Sequence, residues 1–162
     1  MWPIKKAWYR TYQAVFRVLV CFLDWTEPER LEGPGAIKRL PELIKSKGVE
    51  KVLIVTDKGL MSLHLLDPLF EKLTEAGIQY TLYDGTQPNP TFDNIEDARR
   101  LYVENNCEAI IAFGGGSPMD CAKVAAARVV RPNKPIPKMR GVLKVMRKLP
   151  PFFAVPTTAG TG

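Results

Sequence analysis

The chain has 162 residues, of which 46% are hydrophobic and 25% are charged, as expected for a globular protein of about one domain with one core. Its formal net charge of +6 does not decide between nucleic acid, an anionic membrane and a bound phosphate, because a positive field suits all three. The three cysteines show no CxxC spacing and no histidine-rich neighbourhood, which excludes a recognisable zinc motif and indicates a reduced, cytoplasmic setting.

The first thirty residues contain an apolar segment that resembles part of a signal peptide, because Lys5 and Lys6 precede the stretch 14–23. Arg17 interrupts this stretch, no small-x-small cleavage site follows, and about ten apolar positions are too few to cross a bilayer. Apolar residues instead recur every three or four positions, at Trp8, Tyr12, Val15, Phe16, Val20 and Leu23. This spacing predicts an amphipathic helix, which we expect to pack on the protein itself or on a partner subunit, with membrane-surface binding as the alternative.

Beyond residue 30, segments with helical spacing alternate with short β-branched and apolar runs. Helices are predicted over residues 36–47, 63–76, 91–106 and 119–130. Strands are predicted over residues 51–56, 78–83, 109–113 and 152–155. Because strands that alternate with such helices are joined by crossover connections, the pattern predicts an α/β fold with a Rossmann-like parallel sheet and flanking helices. Ligands of these sheets bind beyond the carboxyl ends of the strands, which points to the loops from residue 57 onward, at 84–91 and at 114–117, with the loop 156–162 expected at the same edge.

The stretch 128–148 is basic and interrupted by prolines, which indicates a solvated excursion between the last predicted helix and the last strand. The more specific alternative is a surface patch that binds nucleic acid. The stretch contains no aromatic residue on which a base could stack, so we do not expect nucleic acid as a partner.

The segment GGGS at residues 114–117 directly follows a predicted buried strand and opens a predicted helix. Consecutive glycines let several backbone N–H groups converge on one anion. We expect Ser117 as the helix N-cap, Pro118 as the first helical residue and Asp120 at the third position, as in a capping box. The pattern is not GxGxxG and follows the third strand, so the standard dinucleotide fingerprint is absent, and a tight turn that only requires glycine remains the alternative.

Two further loops favour the anion-binding interpretation. Asp57 follows the first predicted strand, where its carboxylate could bind an adenosine ribose and repel a 2′-phosphate, although it could equally cap a helix ahead of Leu60. The segment PTTAGTG at residues 156–162 offers hydroxyl groups and flexible backbone after the last strand, although it could be only an exposed turn. All three loops belong at the same edge of the sheet, so together they indicate a cofactor site.

At these residues the sequence resembles the iron-containing (group III) alcohol dehydrogenases, which are distantly related to glycerol dehydrogenase and dehydroquinate synthase. The segments that carry the resemblance are VTDKGL at 55–60, PNPT at 88–91, GGGS at 114–117 with Asp120, Ala122 and Lys123, and PTTAGTG at 156–162. The resemblance runs from about Leu31 to the last residue.

The resemblance implies a dehydroquinate-synthase-like amino-terminal domain in residues 31–162, preceded by a helix and linker in residues 1–30. An all-helical metal domain would follow and is missing from this chain. The residues that the resemblance assigns to the cofactor are Asp57, Asn89, Gly114, Gly115, Gly116, Ser117, Asp120, Thr157, Thr158 and Thr161.

Within that set, the resemblance places the pyrophosphate on Gly115, Gly116 and Ser117. It places the adenosine ribose at Asp57 and the adenine near Asn89. The threonines would line the cofactor closer to its nicotinamide end.

In this family an aspartate and three histidines hold iron, or sometimes zinc, beyond the segment where this sequence stops. His64 is the only histidine here and has no partner at metal-ligand spacing, so we expect no metal ligand and no catalytic residue in this chain. We therefore expect an inactive part of a longer polypeptide.

The full-length protein would oxidise a small alcohol to an aldehyde or ketone reversibly, with NAD rather than NADP because of Asp57, and would form a homo-oligomer. The alternatives are a non-catalytic nucleotide-binding or oligomerisation module, and a relative of glycerol dehydrogenase or dehydroquinate synthase.

Overall fold

A computed structural model describes residues 2–21 and 27–159, and the chain divides into two compact units, residues 1–30 and residues 31–162. In the first unit, helix α1 spans Trp2–Val20. It occupies most of the segment for which the sequence predicts an amphipathic helix, while Leu23 lies outside the described residues.

The second unit is built on a parallel sheet whose order, within the described residues, is β2-β1-β3-β4. The strands are β1 (Lys51–Val55), β2 (Gln79–Tyr83), β3 (Ala109–Gly114) and β4 (Phe152–Pro156). The predicted α/β fold with a Rossmann-like parallel sheet is confirmed.

Helices cover both faces of this sheet. They are α2 (Leu40–Ser46), α3 (Lys58–Ser62), α4 (Asp67–Glu75), α5 (Phe92–Glu104) and α6 (Gly116–Val130), with short 3-10 helices at Ala36–Arg39 and Ile136–Met139. Successive side chains of a strand point to opposite faces, so Val52 and Ile54 of β1 join a core with α2 and α4. Leu53 and Val55 join a second core with α5 and α6. The apolar run of β1 is therefore buried on both sides, as predicted for a central parallel strand.

The prediction of a helix over residues 63–76 is wrong at the start of the helix. Helix α3 ends at Ser62, and His64 then adopts a left-handed conformation with a φ of 55° before α4 begins at Asp67. Pro68 lies in the first turn of α4, where proline is tolerated because its missing N–H group needs no acceptor. His64 is thus an exposed turn residue, and its Nδ1 lies 3.0 Å from Oδ2 of Asp67.

Arginine side chains organise the basic stretch 128–148. Arg128 donates hydrogen bonds to three carbonyl oxygens of the turn that follows α6, at distances of 2.7 to 3.0 Å. Arg131 donates to the carbonyl oxygen of Val145 at 2.7 Å, and Met139 is buried. The arginine side chains of this stretch therefore bind its own backbone carbonyl groups. Fewer of its positive charges are then available to an external anion.

An ion pair between Arg128 and Glu96 of α5 anchors this stretch, with 2.5 Å between Nε and Oε1. The hydrogen bond from Arg128 lowers the pKa of Glu96, so the pair stabilises the fold above the ordinary glutamate pKa of about 4.3. That stabilisation is lost as the pH falls through the lowered folded-state pKa.

We therefore expect Glu96→Gln to reduce the free energy of unfolding at pH 7, and the gap to wild type to close as the pH falls below about 4.3. Urea unfolding of both proteins across this pH range measures the gap. Asp97→Asn, which removes the neighbouring exposed pair with Arg100, serves as the control. If the difference in the free energy of unfolding between Glu96→Gln and wild type stays constant with pH, the stabilising role of the ion pair between Arg128 and Glu96 is contradicted.

Candidate functional site

A cleft of about 720 Å³ lies at the edge of the sheet where the strands end. It is lined by the loops that follow all four described strands, at residues 57–60, 84–88, 115–118 and 157–158. Parallel strands bring their carboxyl ends to one edge, which explains why loops far apart in sequence meet here. The edge predicted to bind a ligand thus contains a cavity of the size that small-molecule sites require.

The order of the strands explains why the glycine loop follows the third strand. After β1 the chain forms β2 on one side, and it then forms β3 on the other side of β1. The direction of winding reverses between β1 and β3, and at such a switch point the loops diverge and leave a crevice. The glycine loop at the end of β3 therefore enters the cleft beside the loop that carries Asp57.

Gly114 ends β3 with a φ of 146°, a conformation that favours glycine. A Cβ atom at this position would lie 2.6 Å from Cγ of Pro118 and 3.0 Å from Cδ1 of Leu60. The backbone of Gly114 thus packs directly against the first turns of α6 and α3. Gly114 is not among the residues that line the cleft, so its contribution is to the shape of the loop.

Helix α6 begins at Gly116, with Gly115 as its N-cap and no side chain bonded to its first turn. The predictions that Ser117 caps the helix and that Asp120 completes a capping box are therefore wrong. The hydroxyl oxygen of Ser117 instead accepts a hydrogen bond from the N–H group of Asn89 at 3.3 Å. The helix thus begins two residues before Pro118, which was predicted as its first residue.

The first turn of α6 presents N–H groups that have no acceptor within the helix. Pro118 has no N–H group, and the N–H group of Met119 donates to the carbonyl oxygen of Gly115 at 3.3 Å. The N–H groups of Gly116 and Ser117 are left for a partner in the cleft. They lie at the positive end of the helix dipole, so the preferred partner is an anion.

Asp57 also lines the cleft and is half-buried. Its Oδ1 accepts a hydrogen bond of 3.0 Å from the N–H group of Leu60, which makes it the N-cap of α3. The capping alternative is therefore correct, and the residue lines the cleft as well. Capping fixes the direction of the carboxylate at the mouth of the cleft.

The loop after β4 packs against the glycine loop. Thr157 donates its N–H group to the carbonyl oxygen of Gly114 at 3.1 Å, and a Cβ atom on Gly115 would lie 3.4 Å from the methyl group of Thr158. Both threonines are exposed and line the cleft. Thr161 lies outside the described residues.

Two other predicted residues do not line the cleft. Asn89 is exposed and has a φ of 55°, and its backbone connects the loop after β2 to Ser117. Asp120 points to solvent from the second turn of α6, with its side chain 70% exposed and 3.8 Å from Nζ of Lys123. The structure therefore brings six of the predicted residues together around the cleft, namely Asp57, Gly115, Gly116, Ser117, Thr157 and Thr158.

Comparison with known proteins identifies the family. The model of the iron-containing alcohol dehydrogenases matches residues 28–162. The chain belongs to this family. The resemblance noted in the sequence is thereby confirmed, and the glycine loop and the threonine loop both lie within the matched segment.

Several iron-containing alcohol dehydrogenases and their relatives are similar to this chain. Choline dehydrogenase of Bacillus subtilis (strain 168) is 37% identical over 132 residues, which cover 80% of this chain and 33% of that protein. The crystal structure of 1,3-propanediol oxidoreductase superposes with a TM-score of 0.75 at 37% identity, covering 80% of this chain and 34% of that one.

The crystal structure of sulfoacetaldehyde reductase from Bifidobacterium kashiwanohense in complex with NAD+ superposes with a TM-score of 0.68 at 25% identity. The match covers 86% of this chain and 37% of that one. The chain spans about a third of the length of the curated relatives it matches.

Four polar residues that line the cleft of this iron-containing alcohol dehydrogenase family member were not among the predicted site residues, and one of them is the carboxylate of Asp84 directly after β2. Lys58 follows Asp57 and adds a cation, and Thr86 and Gln87 come from the loop after β2. The signal was available, because a polar residue shortly after a strand belongs at the binding edge. Thr86 is 6% exposed and lies beside Cys121, whose thiol has a pKa raised by burial to about 11. The thiol is thus protonated at neutral pH.

Among residues 2–21 and 27–159, no three side chains of His, Cys, Asp or Glu come together in a way that could hold a metal ion. In the same part of the chain, no helix is both long and apolar enough to cross a membrane.

Proposed function

We propose that residues 31–162 form the dinucleotide-binding domain of an NAD-dependent, metal-dependent alcohol dehydrogenase. The whole enzyme would interconvert a small alcohol and an aldehyde or ketone by hydride transfer. The observation that carries this proposal is the first turn of α6, which no side chain caps and which opens into the cleft at the switch point of the sheet.

The pyrophosphate of the cofactor belongs at this turn. The N–H groups of Gly116 and Ser117 donate to its oxygens, and the absence of a Cβ atom at Gly115 and Gly116 lets the phosphates approach the backbone. Lys58 adds a positive charge to the lining of the cleft. A helix dipole and one ammonium group therefore face the two phosphate charges, while the carboxylates of Asp57 and Asp84 also line the cleft.

The remaining walls fit the two halves of a dinucleotide. Asp57 accepts hydrogen bonds from the adenosine ribose, while Thr157 and Thr158 donate to the part of the cofactor nearer the nicotinamide. We assign Asn89 and Gly114 indirect roles through the shape of the loops and give Asp120 no role at the cofactor, and we keep Thr161 with the threonine group. The NAD+ bound to the similar sulfoacetaldehyde reductase supports this choice of cofactor.

Iron or zinc, held by residues other than those described, would supply the Lewis acid that polarises the alcohol oxygen. The similarity to choline dehydrogenase and 1,3-propanediol oxidoreductase supports a small alcohol or aldehyde as substrate. We further propose a homo-oligomer in the cytoplasm. The contribution of this chain is to bind and orient the cofactor.

Titration of NADH into the protein tests the proposal directly, because a folded domain that shows no binding would contradict it. Replacement of Asp57 tests the orientation of the bound cofactor. Asp57→Asn retains a side-chain oxygen that can cap α3 but removes the charge that repels a 2′-phosphate. We expect the affinity for NADPH relative to NADH to rise about tenfold, which corresponds to roughly 1.4 kcal/mol of repulsion.

The control for this substitution is Asp120→Asn, which removes an exposed carboxylate that does not line the cleft. The control should leave the ratio of the two affinities at the wild-type value. An Asp57→Asn protein that still binds NADH but keeps the wild-type ratio would place the ribose elsewhere.

A further inference from the structure

Helix α1 carries a row of aromatic rings on one side. The rings of Trp8 and Tyr12 stack with their centroids 5.9 Å apart, and those of Tyr12 and Phe16 stack at 6.1 Å. Trp8 is 63% exposed and Tyr12 is 55% exposed. Their four-residue spacing aligns the rings along the helix, so the row forms one continuous apolar strip.

A second row on the same helix is cationic. Lys6, Arg10 and Arg17 are four and seven residues apart, and this spacing places them on a common side, opposite the aromatic row. Lys5 adds a fourth positive charge, and residues 2–21 contain no aspartate or glutamate. A partner that matches this helix must therefore be both apolar and anionic.

We propose that α1 binds the surface of an anionic lipid bilayer, an interaction that goes beyond the proposed dehydrogenase function. In this arrangement the aromatic row lies at the boundary between headgroups and acyl chains, where tryptophan and tyrosine are enriched in membrane proteins. Lys6, Arg10 and Arg17 lie on the opposite, polar face, from which their charges are attracted to the anionic headgroups. A second copy of the helix fits less well as an occupant, because each helix carries four positive charges and no carboxylate to offset those of the other, and Lys5 lies on the same side as the aromatic row.

The chain contains a built-in reporter for this interaction, since its three tryptophans are Trp2, Trp8 and Trp25. All tryptophan fluorescence thus comes from the amino-terminal segment. With vesicles of equimolar phosphatidylglycerol and phosphatidylcholine, we expect the emission of the intact chain to shift to shorter wavelength and the protein to sediment with the lipid. Pure phosphatidylcholine vesicles should produce neither effect, and high salt should reverse both.

A charge variant tests the cationic row. Each lysine or arginine near an anionic surface contributes about fivefold to partitioning, so Lys6→Gln/Arg10→Gln/Arg17→Gln should weaken vesicle binding by roughly a hundredfold. The matched control, Lys45→Gln/Lys123→Gln/Lys138→Gln, removes three exposed charges from the second unit and should bind like wild type. Equal loss in both variants would show a general charge effect and overturn the proposal.

A second variant tests the aromatic row while it preserves the fluorescent reporter. Tyr12→Ala/Phe16→Ala should reduce binding to the anionic vesicles and leave the tryptophan signal measurable. Binding to polyuridylate RNA in place of the vesicles, with no effect of this variant, would overturn the proposal in favour of a nucleic-acid partner. A change in oligomeric mass without vesicle binding would overturn it in favour of a second copy of the chain.

Discussion

Gly116→Asp is expected to abolish NADH binding without unfolding the protein. The residue is the first of α6, where an aspartate stabilises a helix because its charge complements the helix dipole. The same carboxylate would enter the place proposed for the pyrophosphate. Two like charges about 4 Å apart near a protein surface repel by roughly 4 kcal/mol before salt screening, so the affinity should fall at least about a hundredfold.

Isothermal titration of NADH measures this loss, and thermal unfolding checks that the variant remains folded. Lys123→Gln is the matched control, since it makes the same change in net charge on the same helix but at an exposed position away from the cleft. The control should bind NADH like wild type. Equal affinity of wild type and Gly116→Asp for NADH would show that the first turn of α6 is not part of the NADH site.

Gly114→Ala should have the largest effect on stability. The new methyl group would lie 2.6 Å from Pro118 and 3.0 Å from Leu60, and the φ of 146° is unfavourable for alanine. Backbone strain of about 1–3 kcal/mol and overpacking of about 1–3 kcal/mol together predict a loss of roughly 2–6 kcal/mol. Urea unfolding measures this loss, which is a large part of the roughly 5–15 kcal/mol that stabilises a typical domain.

The contribution of backbone strain can be separated with Gly77→Ala. Gly77 also has a positive φ, of 68°, but a Cβ atom there would meet nothing within 4 Å. This variant should therefore lose only about 1–2 kcal/mol. If both variants lost the same amount, the close contact at Gly114 would have no energetic importance.

Much of the fold is predictable from local patterns. The apolar run at 51–56 predicts a strand buried on both faces, and the alternation with helices predicts the parallel sheet that is found. The rule that ligands bind at the carboxyl edge then selects the correct loops. Local periodicity does not determine the spatial order of strands, because that order depends on contacts between distant segments.

The details that could not be predicted arise from such contacts. The start of α6 depends on how Gly114 packs against Pro118 and Leu60, and Leu60 is more than fifty residues away in sequence. The turn at His64 depends on where α3 stops after its cap at Asp57. In each case the residue types indicate a helix end or a turn. Its exact position, however, depends on a contact with a residue that sequence spacing does not reveal.

The packing of Gly114 against Pro118 and Leu60 also affects the thermodynamics of ligand binding. It joins the loops after β1 and β3 before any ligand arrives, and Thr157 adds the loop after β4 through its hydrogen bond to Gly114. The conformational entropy of these loops is therefore lost during folding. A cofactor that enters the cleft meets walls that are already ordered, and more of its interaction energy is retained as affinity.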